Sequence, residues 1–277
     1  MASSDTEVQS EMAQLTIASH IGVGCDAGAQ VVVCTVAKHG EPPFEVVAKI
    51  YDALYYRFSH SIASRPRDVT AEADKDYATE AAAYKQLTTA GKAGQATPAY
   101  YGSWTFDVKR GRSNIRGLRI RTSDPFWDSR DTFHLPEKYR LEVLARAMDA
   151  YVRALHCGVE QNDFADRNVM ISSKDTSITT DITGTGIPCV VVVDYNTAIS
   201  YSCTLGGRST EESSALPVSP VQWFWKQAVG GDFLGWVPPE WEAVRKPMQE
   251  WLVQRFGSEE QRALYEPVAK ELMVDEW

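Results

Sequence analysis

The sequence predicts an α+β fold in two parts, a small antiparallel sheet with one helix followed by a larger, mainly helical region. Three observations carry this expectation. Five short runs rich in β-branched and aromatic residues, separated by turn residues and one helical stretch, lie within the first 122 positions. A strongly periodic helix follows residue 135, and a tryptophan-rich, mainly helical stretch closes the chain. At 277 residues the chain also exceeds the usual size of one hydrophobic core, which favours a two-part organisation.

Residues 1–13 read as a polar tail, 14–124 as the sheet-bearing part and 125–277 as the helical part. Within the first, LTIASHIGVG, AQVVVCTVA and FEVVAKIYD form an antiparallel meander, with KHGEPP as the second turn. Residues 68–90 predict a helix whose apolar face is Ala78, Ala81, Ala82, Tyr84 and Leu87, ended by Gly91. AYYGSWTFDV and RGLRIRT complete five strands around the turn KRGRSN. In the second part, residues 135–158 carry Leu141, Leu144, Ala145, Met148, Tyr151, Val152 and Leu155 at helical spacing, with Gly158 as the stop. Two apolar strands, NVMIS and PCVVVVDY, flank a Ser/Thr/Gly-rich loop. Helices are expected near 219–228, 239–256 and 259–274.

Composition narrows the function. A formal net charge of −9 offers no basic footprint for nucleic acid as the main partner. No apolar run has the length of a membrane span, and the polar start MASSDTEVQSEM lacks a signal-peptide core, so no membrane partner and a cytoplasmic location are expected. Cys25, Cys34, Cys157, Cys189 and Cys203 show no C-x-x-C spacing and read as reduced thiols. His20, His39, His60 and His134 lack metal-ligand spacing, His156 beside Cys157 reads as a packing or rim position, and the tryptophans read as packing residues more readily than as a cage for an aromatic or cationic ligand.

The order of polar residues is the functional signal. Lys49 lies on a strand in V-A-K-I, Glu80 on the following helix, and Asp163 to Asn168 form D-x-x-x-x-N just after the strongest helix. Asp194 closes the run VVVVD. Each feature alone is a surface charge, a helix-face charge or a solvated turn. Together they supply a carboxylate for a hydroxyl, an amide oxygen and a carboxylate for Mg²⁺, and a lysine for phosphates with a glutamate to orient it. Asp166 and Arg167 read as a local ion pair beside this set.

At VVAKIY, TEAAAYKQL, QNDFADRNVMI and VVVVDYN the chain resembles the protein-kinase-like superfamily. The last two segments look closest to kinase-like proteins of filamentous fungi and to small-molecule kinases of the aminoglycoside and choline kinase type. The resemblance covers roughly residues 15–200 and implies a bilobal fold with ATP and Mg²⁺ at the lobe junction. It places Lys49 on the α- and β-phosphates, Glu80 orienting Lys49, Asp163 as base or hydroxyl orienter, and Asn168 and Asp194 on Mg²⁺. Gly22, Gly24 and Gly28 stand where a phosphate-covering loop belongs, spaced G-x-G-x-x-x-G, and Leu118, Ile120 and Thr122 stand where adenine is met.

The chain also departs from a regulated protein kinase. Gln161-Asn162-Asp163 replaces H-R-D, no A-P-E segment follows, Asp194-Tyr195-Asn196 lacks the usual glycine, and Arg119 and Arg121 interrupt the adenine-facing strand. The expectation is therefore an ATP- and Mg²⁺-dependent phosphotransferase acting on a hydroxyl of a small molecule. The alternatives are a pseudokinase-like binding protein, or a kinase-fold biosynthetic enzyme using ATP for other chemistry.

Overall fold

The computed structural model describes residues 13–24, 28–59, 66–107, 114–121, 132, 135–172, 189–201, 215–269 and 272, and at 105–107, 114–121 and 172 it describes the backbone alone. The architecture is mixed α and β, with a small antiparallel sheet and five α-helices among the described residues. Contacts divide the chain into two units, Met1–Asp74 with Tyr101–Thr122, and Lys75–Tyr100 with Ser123–Trp277.

The first unit is built on strands β1 (Ala13–Gly22), β2 (Ala29–Lys38), β3 (Phe44–Tyr51), β4 (Ala99–Asp107) and β5 (Asn114–Arg121), in the order β1-β2-β3-β5-β4. β1, β2 and β3 form the expected meander, and β5 pairs antiparallel with β3. Period-two alternation decides which side of β2 is covered. Gln30, Val32, Cys34 and Val36 are buried while the residues between them are half-buried, and Val46 and Ala48 of β3 join the cluster. The edge strand β1 is exposed along nearly its whole length.

Helix α1 (Val69–Thr89) starts where the Asp68 carboxylate accepts the Ala71 N–H at 3.0 Å, and it ends where Gly91, at φ 68°, lets the Lys92 N–H reach the Leu87 carbonyl at 2.9 Å. Its buried stripe corrects the sequence reading. Ala73, Glu80, Ala83, Tyr84 and Leu87 are covered, whereas Ala78 is exposed and Ala81 and Ala82 are half-buried. Alanines on every side leave the apolar face undefined, and a buried glutamate is invisible to a search for apolar periodicity.

In the second unit, helix α2 (Glu137–His156) buries Val143, Leu144, Ala147, Met148, Tyr151 and Val152. Against it pack Val221 and Phe224 of α3 (Pro220–Phe224), Met248, Leu252 and Phe256 of α4 (Lys246–Phe256), and the buried Trp225, Trp236 and Trp241. The tryptophan-rich region is thus mainly core.

The later helices are shorter than expected. Ser219 caps α3 by accepting the Val221 N–H at 3.2 Å, but the Trp225 carbonyl accepts from the Gln249 side chain at 3.1 Å instead of continuing the helix. Residues 239–256 are not one helix. A 3-10 turn spans Pro239–Glu242, and α4 begins only at Lys246, with Pro247 in its first turn, where a missing N–H costs nothing. Helix α5 (Glu259–Arg262) stops well short of 274, because Pro267 disfavours helix at Glu266, whose N–H bonds the Pro217 carbonyl at 2.8 Å.

Four short strands complete this unit. β6 (Val159–Glu160) pairs with β9 (Ile199–Ser200), and β7 (Val169–Ser172) with β8 (Cys189–Val192), both antiparallel. Two-residue strands carry no readable period, so β6 and β9 left no signal in the sequence. Among the described residues no helix is long and apolar enough to cross a membrane.

Candidate functional site

The loop between β6 and β7 is held from both ends. Asp166 N–H bonds the Asp232 carbonyl at 2.9 Å, a 3-10 turn covers Asp166–Asn168, and the Val193 N–H bonds the Asn168 carbonyl at 2.9 Å. Asn168, buried, donates its amide to the Asp163 carbonyl at 2.7 Å and to Asp163 Oδ2 at 2.9 Å. Spending the NH₂ group this way leaves the amide oxygen as the side chain's acceptor. Arg167 donates to the other carboxylate oxygen, Asp163 Oδ1, from a side chain that is 60% exposed. The ion pair expected between Asp166 and Arg167 is therefore made by Asp163 instead, since four residues along the turn bring Arg167 back over it.

Gln161 joins this loop to Asp194. Its side chain is 2% exposed, its oxygen accepts the Asp163 N–H, and its NH₂ group donates to the carbonyls of Val193 at 3.1 Å and Asp194 at 2.8 Å. An amide can accept and donate at once without titrating, which suits a buried clamp. Asn162 adds a bond to the Thr197 carbonyl at 3.0 Å. The sequence showed Gln161 only as a replacement within the expected motif. Its clamping role was not legible, because both carbonyls it holds lie more than thirty residues away.

Asp194 does not end strand β8, which stops at Val192. It sits two residues beyond at φ 63°, the single non-glycine residue with positive φ among those described. Aspartate tolerates this left-handed conformation better than most residues, yet a non-glycine there costs about 1 kcal/mol. The following residue turns inward. Tyr195 N–H donates to Glu80 Oε1 at 3.1 Å, and Glu80 is 0% exposed. The Tyr195 ring meets Tyr84 edge-on at 5.3 Å, and Tyr84 stacks on Tyr100 at 5.6 Å. Burial first, then the neighbouring Glu80, pushes the Tyr84 and Tyr195 hydroxyls upward, so both rings stay neutral. Glu80, Asp163, Asn168 and Asp194 are thereby tied into one hydrogen-bonded group of the second unit, through Tyr195 and Gln161.

Among the described residues no group of three or more His, Cys, Asp or Glu is placed to hold a metal. The donor set of Asn168 and Asp194 still suits Mg²⁺, a hard cation that usually takes one or two protein oxygens and completes its shell with water and substrate phosphate.

Lys49 and the glycine turn belong to the first unit. Lys49 is 7% exposed, its Nζ lies 5.3 Å from the centre of the Tyr51 ring, and the register sets it opposite Val31 and Leu118. Ile120 pairs with Val47 and Arg119 with Ala48, while Thr122 lies outside the described residues. Of the three glycines, Gly28 has a conformational need, at φ 69°. A Cβ on Gly22 or Gly24 would meet nothing within 4 Å. Gly24 is held by a residue the sequence did not single out, since buried Gln30 accepts the Gly24 N–H at 2.9 Å and donates to the Gly24 carbonyl at 3.1 Å.

A pocket of about 240 Å³ lies against the other side chains of the Asp163 loop, lined by Glu160, Gln161, Asn162 and Phe164 together with Tyr151 and residues 223–232 in part. Burial pushes up the thiol of Cys157, at the end of α2, which works against a thiolate there. No protein-family model matches the chain, and no curated protein matches it.

Proposed function

We propose that the chain is an ATP- and Mg²⁺-dependent phosphotransferase of protein-kinase-like, bilobal fold that acts on a hydroxyl group of a small molecule. The observation that carries this reading is the clamp of Gln161, which holds the backbone of Asp163 and the backbone of Asp194 on one buried amide. Fixed relative placement of a carboxylate for the hydroxyl and a carboxylate for the metal is most of what phosphoryl transfer asks of a protein.

In this reading Asp163 orients the acceptor hydroxyl and takes its proton, and Asn168 keeps the carboxylate aimed through its bond to Oδ2. Asn168 Oδ1 and Asp194 would hold Mg²⁺, whose contribution is to neutralise phosphate charge. Lys49 is assigned to the α- and β-phosphates, with Glu80 orienting it. The pocket beside the Asp163 loop receives the acceptor.

One observation favours the second reading, a nucleotide-binding protein without efficient transfer. Both oxygens of Asp163 already take donors from their own loop, Asn168 and Arg167. ATP consumption over a panel of hydroxylated metabolites separates the two. Turnover that falls at least about 100-fold in Asp163→Asn supports the enzyme. Turnover absent from the native chain despite nucleotide binding, or unchanged in the variant, rejects it.

A further inference from the structure

Strand β1 stands at one edge of the sheet, and nine of its ten residues are exposed. Among the described residues no strand pairs with its outer side. A row of free N–H and C=O groups recruits another strand, so sheet edges are commonly blunted by shortness, charge or proline. β1 is about twice the usual strand length and contains no Asp, Glu, Lys, Arg or Pro. Its register breaks fall between Ile17 and Ser19 and between His20 and Gly22, which leaves Ala13–Ile17 as a regular stretch. The far end of β1 adjoins an exposed apolar turn. Leu54 and Phe58, just after β3, are 78% and 65% exposed, and the Gly28 N–H bonds the Tyr55 carbonyl at 3.1 Å, which joins this turn to the one that follows β1. Charge is divided between the two ends. Residues 53–67 hold three arginines, exposed Arg57 among them, and no carboxylate, whereas residues 1–12, which lead into β1, hold Asp5, Glu7 and Glu11 and no base.

We propose that β1 is the surface through which two copies of this chain form a two-fold dimer, their β1 strands pairing antiparallel. The regular stretch sets the register, with Leu15 of one copy opposite Leu15 of the other and Ala13 opposite Ile17. Charge selects a second copy over an unrelated strand. Copies of net charge −9 repel one another, and β1 is a stretch on which they meet without opposed charges. Antiparallel pairing also runs the acidic lead of each copy toward the arginine-bearing turn of the other, so each supplies the complement the other needs. The contact is isologous and closes on itself, leaving neither β1 strand free. The inference concerns the first unit alone and does not rest on the phosphotransferase reading.

Sedimentation equilibrium of the full chain, without nucleotide and loaded from about 1 to 300 µM, tests this, since a strand pair with a small apolar rim belongs at the weak end of interfaces. The expected result is a mass that climbs with concentration from one chain to two and no further. Ile17→Lys, at a position that is 51% exposed, sets a charge on the edge and should weaken the dimer at least about tenfold. Ser19→Lys, also exposed, should do the same, and melting temperatures equal to that of the native chain show that neither variant has lost its fold. Val244→Lys, at an exposed position of the second unit, should leave the dimer as strong as before. A one-chain mass at every concentration, growth beyond two chains, a dimer unaltered by both Ile17→Lys and Ser19→Lys, or one weakened equally by Val244→Lys overturns the proposal.

Discussion

Asp194 and Tyr84 show what single side chains contribute to this site. Asp194 is left-handed, so Asp194→Ala combines a lost carboxylate with a strained backbone, whereas Asp194→Asn keeps a residue type that tolerates φ 63°. Chemical denaturation should find the alanine variant less stable than the asparagine variant by about 1 kcal/mol. Equal stabilities would mean that the turn is not held in this conformation. Tyr84 carries a buried hydroxyl that has no hydrogen-bond partner among the described residues, between two aromatic neighbours. Removing such a group relieves its desolvation, so Tyr84→Phe should leave stability unchanged or raise it by about 1 kcal/mol. At this scale the sequence made Asp163, Asn168 and Asp194 legible, because their order along the chain is itself a pattern. It could not show Gln161 or Gln30 at work, since a glutamine is defined by the distant carbonyls it reaches.

Elements place these residues, and their boundaries follow local chemistry that a periodicity search only partly sees. Strong alternation in β2 and helical spacing in α2 were readable because each buries one face against a single core. Helix α1 was readable as a helix but not by its face, because its fully buried stripe includes the carboxyl side chain of Glu80, which accepts the Tyr195 N–H. Pro247 and Pro267 marked the start of α4 and the stop beyond α5, signals outweighed in the sequence by the surrounding helix formers. Gly158 has a comparable role at the end of α2. It sits at φ 80°, and a Cβ there would press on Gln86 Nε2, which donates to the Cys157 carbonyl at 2.6 Å. Gly158→Ala should therefore lower stability by about 1–2 kcal/mol in urea unfolding, and a neutral result would contradict the described turn. Gln161→Leu should cost more, about 2–3 kcal/mol, because it leaves an N–H and two carbonyls of the β6–β7 and β8–β9 connections without their partner.

For the molecule as a whole, the formal net charge of −9 works against a polyanionic partner. The two units divide the proposed machinery, with Lys49 and the glycine turn in the first and Glu80, Asp163, Asn168 and Asp194 in the second. The proposed function requires ATP and Mg²⁺ to engage residues of both, and thermal unfolding of the full chain tests this requirement directly. With ATP and Mg²⁺ at about 100 times the dissociation constant, the melting temperature should rise by about 5 °C. The rise should vanish when EDTA removes the metal, and it should shrink strongly in Lys49→Ala and in Asp194→Asn. No rise in the native chain, or an equal rise in Asp194→Asn, would contradict a nucleotide and metal site built on Asp194.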